Sequence, residues 1–246
     1  GQAIIEPKPC MTSKNPEFAI WGDSYAMHLV PGLMLDPKIR DSLFQITKSA
    51  CGPILGIASL DSRYNEKWAK GCLNFNEQAI QLIRNSESIR YVIMSSPFDG
   101  YFSSGKLSLY YEGGKVVGDR SIAINQMVAT IKELQNYGKH PILVTPPPRA
   151  GFNIGECWER RNSGLLLGRT SCDFTTDEYH SFQSAIIDAI NEVERRTKVD
   201  VVRLDDVICN NGYCKTAINK ISIYRDGGHL SIPGSQWLVP QINFLN

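Results

Sequence analysis

Two stretches at opposite ends of the chain carry residue types that do chemistry together. The first, FAIWGDSYAMH at 18–28, runs from an apolar strand-like segment through Gly22 and Asp23 to Ser24, where a helix starts. A serine there has two uses. Its hydroxyl caps the helix by accepting a backbone N–H, or it acts as a nucleophile when a base is near enough to take its proton. The second stretch, YRDGGHLSIPGSQWL at 224–238, sets Asp226 three residues before His229. A neutral imidazole that accepts a serine proton at Nε2 must aim its Nδ1–H at an acceptor, and a carboxylate on the same turn provides one. Gly227 and Gly228 let the backbone fold tightly enough for that contact. Taken alone, Asp226 and His229 also fit a surface turn before a final helix. Joined with Ser24, in the order Ser, Asp, His, they point to acyl transfer. A serine at a helix start also gains from the positive dipole end, and its own N–H can face a developing oxyanion.

For these residues to meet, the elements between them must form one sheet. EFAIWG, SLFQITKSA, IRYVIMSS, HPILVT and VDVVRL read as strands, the third a continuous apolar run as expected of a strand buried on both faces. Helices are expected over SYAMHLVPGLM, interrupted or ended at Pro31-Gly32, and over NFNEQAIQLIRNS. Two more cover SIAINQMVATIKELQNYG, stopped by Gly138, and TTDEYHSFQSAIIDAINEVERRT, capped by Thr176. LSLYYEGGKVVG reads as a hairpin around Gly113-Gly114, outside the main sheet. Such alternation predicts an α/β fold with a parallel sheet covered by helices on both faces, and ligands bind beyond the carboxyl ends of its strands. Ser24, the Ser49–Pro53 loop and Ser96-Pro97 all follow strands at that edge and are expected to lie together.

The chain's 246 residues suit one α/β domain, and 42% hydrophobic with 21% charged residues is ordinary globular composition. A net charge of +1, with no basic run interleaved with aromatics, gives no footprint for nucleic acid. No stretch has the length to span a bilayer, and the first residues show no signal-peptide pattern. Residues 1–16, with prolines close together, read as a linker from a preceding domain, and 17–246 as the catalytic domain.

Of seven cysteines, Cys209 and Cys214 bracket the turn NNGY, Cys157 and Cys172 flank a Gly/Arg-rich loop, and Cys51 and Cys72 flank another long segment. Pairing them so leaves Cys10 over. The two longer bridges would each stabilise the fold by roughly 3 kcal/mol on the chain-entropy model. Reduced thiols in a cytosolic enzyme are the alternative reading. A zinc site is weaker, because no Cys-x-x-Cys pair or close Cys/His cluster exists. An oxidising compartment is the expectation.

GDSY at 22–25 and DGGHLS at 226–231 resemble the first and last blocks of the SGNH/GDSL hydrolase superfamily. TKSACGP, PPPRAGFNIGECWERR and ICNNGYC extend the likeness to the C-terminal periplasmic SGNH domain of acyltransferase-3 membrane proteins, which O-acetylate bacterial surface glycans such as lipopolysaccharide O-antigen. The resemblance implies a three-layer α/β/α fold with a central parallel sheet, a small hairpin excursion and disulfide-bridged loops. It also implies Ser24 as nucleophile, His229 as general base and Asp226 as the group orienting it. A membrane-embedded acyltransferase-3 domain, on the same polypeptide, would pass on acetyl from cytoplasmic acetyl-CoA, so the soluble part needs no cofactor or metal. The location implied is the periplasm, tethered to the inner membrane.

One departure from the family concerns the oxyanion. The superfamily's third block carries an Asn that donates to it, and MSSPFDGYF at 94–102 has none. A second departure concerns the second block's Gly: the resemblance offers Gly52 for it, but Gly52 follows Cys51, which sets it apart from the family pattern. Backbone N–H groups of Ser24 and of the loop Ala50, Cys51, Gly52 are the expected substitutes, each missing donor costing on the order of 3 kcal/mol.

Other residues have plainer readings. Tyr25 stands where many relatives have His and is read as a helix residue packing its ring. Asp23 is read as holding the turn, His28 as a solvated helix histidine, and His140 and His180 as without a role. Trp21, Trp68, Trp158 and Trp237 are candidate sugar-stacking faces as well as core residues. Arg149 is a candidate contact for an anionic glycan. Three functions fit: an acetyltransferase acting on a surface glycan, a secreted carbohydrate esterase with the same triad, and a non-catalytic glycan-binding domain.

Overall fold

Continuous apolar runs became strands buried on both faces. The computed structural model describes residues 8–103, 107–118, 120–165, 168–169 and 171–244, so the first seven residues of the expected linker lie outside it. In chain order the first elements are β1 (Phe18–Gly22), α1 (Ser24–Met27), α2 (Val30–Leu33), α3 (Pro37–Arg40), β2 (Leu43–Thr47), β3 (Ile57–Ser59) and α4 (Glu66–Asn85). Next come β4 (Tyr91–Ser95), α5 (Asp99–Phe102), β5 (Leu107–Tyr111), β6 (Gly114–Gly118), α6 (Arg120–Asn136) and β7 (His140–Val144). Then follow α7 (Ile154–Asn162), β8 (Phe174–Thr175), α8 (Thr176–Thr197), β9 (Asp200–Val202) and α9 (Asp205–Ile208). Four two-residue strands, β10 (Cys209–Asn210), β11 (Tyr213–Cys214), β12 (Ala217–Ile218) and β13 (Ile221–Ser222), precede α10 (Ile232–Leu238).

The central sheet has the order β2-β1-β4-β7-β9, every neighbouring pair parallel. Side chains alternate across it. Ala19, Trp21, Val92, Met94 and Leu143 pack with α4, α6 and α8 in one core. Phe18, Ile20, Ile93, Ile142 and Val144 pack in a second core with the short helices α1, α2 and α10 and the start of α7. Three layers result, as expected. The hairpin β5–β6 forms as read, and β3 joins it in a separate antiparallel sheet.

The three disulfides pair as expected, Cys51–Cys72, Cys157–Cys172 and Cys209–Cys214, and Cys10 is free and exposed. Among the described residues no helix is long and apolar enough to cross a membrane. Met11 bridges Phe44, and Thr12 bonds Leu43 in both directions, so residues just before β1 run along the edge strand β2.

Local details differ from the sequence reading. The first helical segment breaks at His28-Leu29, not at Pro31-Gly32, because Pro31 sits in the first turn of α2, where a missing N–H costs nothing. α4 begins eight residues earlier than NFNEQAIQLIRNS suggested, with Asn65 as its cap. Thr175, not Thr176, caps α8, in a reciprocal capping box with Glu178. β9 is the last strand of the central sheet, yet short strands follow it.

Candidate active site

The turn after β1 separates the two uses of Ser24. Gly22 passes so close to β4 that a Cβ on it would lie 2.0 Å from the carbonyl oxygen of Ser95. Asp23 is the helix cap: its Oδ1 accepts the N–H of Tyr25 at 2.8 Å, and its Oδ2 accepts the hydroxyl of Ser96 at 2.6 Å. It therefore holds the turn, as expected, and Ser24 is left with its hydroxyl uncommitted to capping.

That hydroxyl lies 2.8 Å from His229 Nε2, across a sequence separation of 205 residues. His229 Nδ1 lies 2.9 Å from Asp226 Oδ2, and Asp226 Oδ1 also accepts the backbone N–H groups of Gly228 (2.9 Å) and His229 (2.8 Å). Partial burial works to raise the Asp226 carboxyl, but the amides of His229 and Gly228, with the imidazole, outweigh it and hold the group below its ordinary range. An ionised carboxylate on Nδ1 leaves Nε2 free to take a proton from Ser24.

Packing after the loop brings the chain ends together. Tyr224 bridges Leu230, Arg225 N–H donates to the His229 carbonyl, and the Tyr224 hydroxyl donates to Pro148 O at 2.8 Å. Ser231 then caps α10, and Ser235 within α10 accepts the N–H of Gly32 in α2 at 3.0 Å. Helix α10 is thus docked on the segment directly following the Ser24 turn. Gly227 and Gly228 contribute differently from the expectation of backbone freedom, since neither takes a left-handed conformation. Gly228 is required by space: a Cβ would stand 2.1 Å from the Tyr25 hydroxyl and 2.7 Å from Arg149 Cδ.

Tyr25 is buried, as read, and its ring lies 4.7 Å from that of His229. His28 overturns its reading as solvated. It is buried because α1 lasts one turn and the 226–230 loop closes over it, and its Nδ1 accepts the N–H of Leu230 at 3.1 Å. Burial, then the neighbouring His229, push its pKa well below the ordinary value, so the ring is neutral. With Nδ1 accepting, the proton sits on Nε2, which is buried and finds no partner among the described residues.

Burial raises Asp23 from 3.8 to about 6, against the bonds from Ser96 and Tyr25, with Asp99 adding to the rise. Arg149 is only 12% exposed and donates both contacts of Nη2 to Asp99, at 2.8 and 2.9 Å. Its charge is therefore met within the protein, which removes the reason to read it as a contact for an anionic glycan. Trp21 is fully buried and bonds Asn76, so it offers no sugar-stacking face; Trp158 is tied to Thr216, while Trp68 and Trp237 are partly buried. His140 pairs with Asp200 at the start of β7, and His180 lies against Tyr179 on α8.

On the oxyanion side, the Cys51 N–H donates to Lys48 O, which takes it out of the expected donor set. Ala50 holds a left-handed φ of 59°. Asn76, which sequence reading passed over, holds this loop: its side-chain amide donates to Gly52 O and Ile54 O at 2.8 and 3.0 Å, while its oxygen accepts from Trp21. The available signal was a polar residue on the apolar stripe of α4, between Phe75 and Ala79. Gln183, buried in α8, similarly accepts the backbone N–H of Arg149. Ser96, within MSSPFDGYF at 94–102, gives its hydroxyl to Asp23.

A search among curated proteins finds no match by sequence. By fold, the chain is similar to the periplasmic domain of a lipopolysaccharide acetyltransferase from Salmonella ser. Paratyphi A, with a TM-score of 0.67 and 19% identity over 95% of this chain and 84% of that one. It is also similar to a GDSL-like lipase from Bacteroides thetaiotaomicron VPI-5482, with a TM-score of 0.47 and 12% identity over 93% and 87%. A family model described as the SGNH domain, fused to AT3 domains, matches residues 2–244. Fold and sequence blocks converge, and the chain belongs to the family of SGNH domains fused to AT3 domains.

Proposed function

We propose that this domain transfers an acyl group, in the first instance acetyl, to a hydroxyl of a bacterial cell-surface polysaccharide such as lipopolysaccharide O-antigen. The observation that carries the reading is the contact of Ser24 Oγ with His229 Nε2 at 2.8 Å, backed by Asp226. In the first half-reaction His229 takes the Ser24 proton as Oγ attacks the acyl carbon, then returns it to the leaving group. In the second, a sugar hydroxyl gives its proton to His229 and attacks the same carbon; the Oγ–acyl bond breaks and Oγ recovers the proton. The N–H groups of Ser24, Ala50 and Gly52 are the proposed oxyanion donors. The steps written here call on no cofactor, and cytoplasmic acetyl-CoA is the ultimate donor through an AT3 transmembrane domain. Residues 1–16 would link the two, placing residues 17–246 in the periplasm, tethered to the inner membrane.

Esterase activity is the second reading, favoured by the 24% exposure of the His229 side chain, which leaves the base open to water. Supplying an activated acetyl ester with and without a glycan separates them by product, acetylated sugar against free acetate. The decisive experiment is Ser24→Ala in the intact protein, with polysaccharide O-acetylation read by NMR. Loss of acetylation is expected. Undiminished acetylation would refute the acyl-enzyme and favour a glycan-binding role.

A further inference from the structure

We propose that a cleft beside Ser24 is the acceptor subsite and that it takes an uncharged, hydroxyl-rich sugar ring, not a uronate; this rests on the acyl-transfer reading above. The cleft has a volume of about 360 Å³, within the range of small-ligand sites. One wall is Asp23, Ala50 and Ser96, the immediate neighbours of the nucleophile's turn. The lining also includes Asp61, Arg63 and Tyr64 from the loop between β3 and α4, and Asp99. Asp23, next to Ser24 in the chain, sets the cleft beside the nucleophile's turn, and the proposed acceptor is a ring whose hydroxyl extends from the cleft to an acyl group on Ser24.

The charges decide the class of acceptor. The lining carries three carboxylates, Asp23, Asp61 and Asp99, and one guanidinium, Arg63; of these, Asp61 pairs with Arg63 at 3.0 Å and Asp99 with Arg149, outside the lining, at 2.8 Å. Asp61 and Asp99 both remain 43% exposed, which leaves lone pairs to accept sugar hydroxyls. Arg149 stands behind Asp99 at 12% exposure, so an anion entering the cleft would meet Asp99 before the cation that neutralises it. A neutral ring gains hydrogen bonds without that repulsion.

The wall is also built before the ligand arrives. Asp61 Oδ1 accepts the N–H groups of Arg63 and Tyr64 at 2.7 and 2.9 Å, and the Asp61 N–H donates to Tyr64 O. The Tyr64 ring rests against Trp68, with centroids 4.6 Å apart. A fixed aromatic on a polar cleft spares the acceptor the cost of ordering it.

The test uses the intact protein with 4-nitrophenyl acetate as donor and two acceptor sets: methyl glycosides of glucose, galactose, mannose and rhamnose, and the uronates of the first two. Nitrophenolate release reads formation of the acyl-enzyme, and mass spectrometry reads acetylated glycoside. We expect transfer to neutral rings to exceed transfer to uronates about tenfold or more, and Tyr64→Ala to raise the acceptor KM about tenfold with a much smaller change in kcat. Asp61→Asn keeps the turn's acceptor oxygen, leaves Arg63 unpaired and is expected to narrow the neutral-to-uronate gap. Transfer to none of the neutral rings, equal transfer to uronates, or an acceptor KM unmoved in Tyr64→Ala and a gap unmoved in Asp61→Asn would each overturn the proposal. Nitrophenolate release and transfer persisting in Ser24→Ala would instead sink the acyl-enzyme itself.

Discussion

Asp23→Asn removes one buried charge while keeping most of its geometry. The carboxyl is 2% exposed and raised from 3.8 to about 6, chiefly by burial. Between these values the folded protein binds more protons at this site than the unfolded chain does. Its contribution is therefore full below pH 3.8 and is lost as pH rises through 6, after which it stays lost. With a shift of about two pKa units, the stability lost by ionising the buried carboxyl is about 3 kcal/mol at pH 7 and only about 0.5 kcal/mol at pH 4. An Asn at 23 still accepts from Tyr25 N–H and donates to Ser96 Oγ, but orphans the Ser96 proton, a pH-independent cost of about 1 kcal/mol. Urea unfolding under non-reducing conditions, run on both proteins from pH 4 to 8, isolates the site because other titrating groups are common to both. The stability of Asp23→Asn relative to the parent should rise by about 2 kcal/mol from pH 4 to 7 and level off above. A difference that is flat across that window would show that Asp23 ionises without penalty, and the argument from burial would fall.

Asp226→Asn removes the charge on Nδ1 and favours the wrong tautomer, so turnover should fall by on the order of 10⁴ with little change in unfolding midpoint, as measured by ester hydrolysis. His28→Asn preserves an acceptor where Nδ1 receives the Leu230 N–H and should retain most activity. His28→Phe orphans that N–H, should destabilise by about 1–3 kcal/mol and should lower kcat by loosening the His229 loop; equal activity of the two would dismiss this positioning role. Gly228→Ala should abolish most turnover, and Tyr25→Phe, by removing the clashing hydroxyl, should recover part of it in the double variant. Replacing Cys51 and Cys72 together by Ser should cost roughly 3 kcal/mol of stability, read by thermal unfolding.

Much of the fold was legible because its signals are local. A strand buried on both faces shows as an unbroken apolar run, and IRYVIMSS and HPILVT could be read without neighbours. Disulfide partners sat on either side of turns and loops short enough to suggest closure. The candidate triad showed through two compact blocks, because an imidazole and its orienting carboxylate share one turn. Cap positions and helix ends were less certain, since Thr175 and Thr176 have the same side chain and only backbone geometry separates them.

Residue types and their order thus determined the parallel sheet, the bridged loops and the choice of Ser24, Asp226 and His229 as the candidate triad. Tertiary structure alone decided that His28 is buried and that Asn76 and Gln183 hold the loops around the site. The reason is range. Propensity and periodicity act over a few residues, whereas burial and partner choice at these side chains depend on segments brought beside them by packing from the far end of the chain.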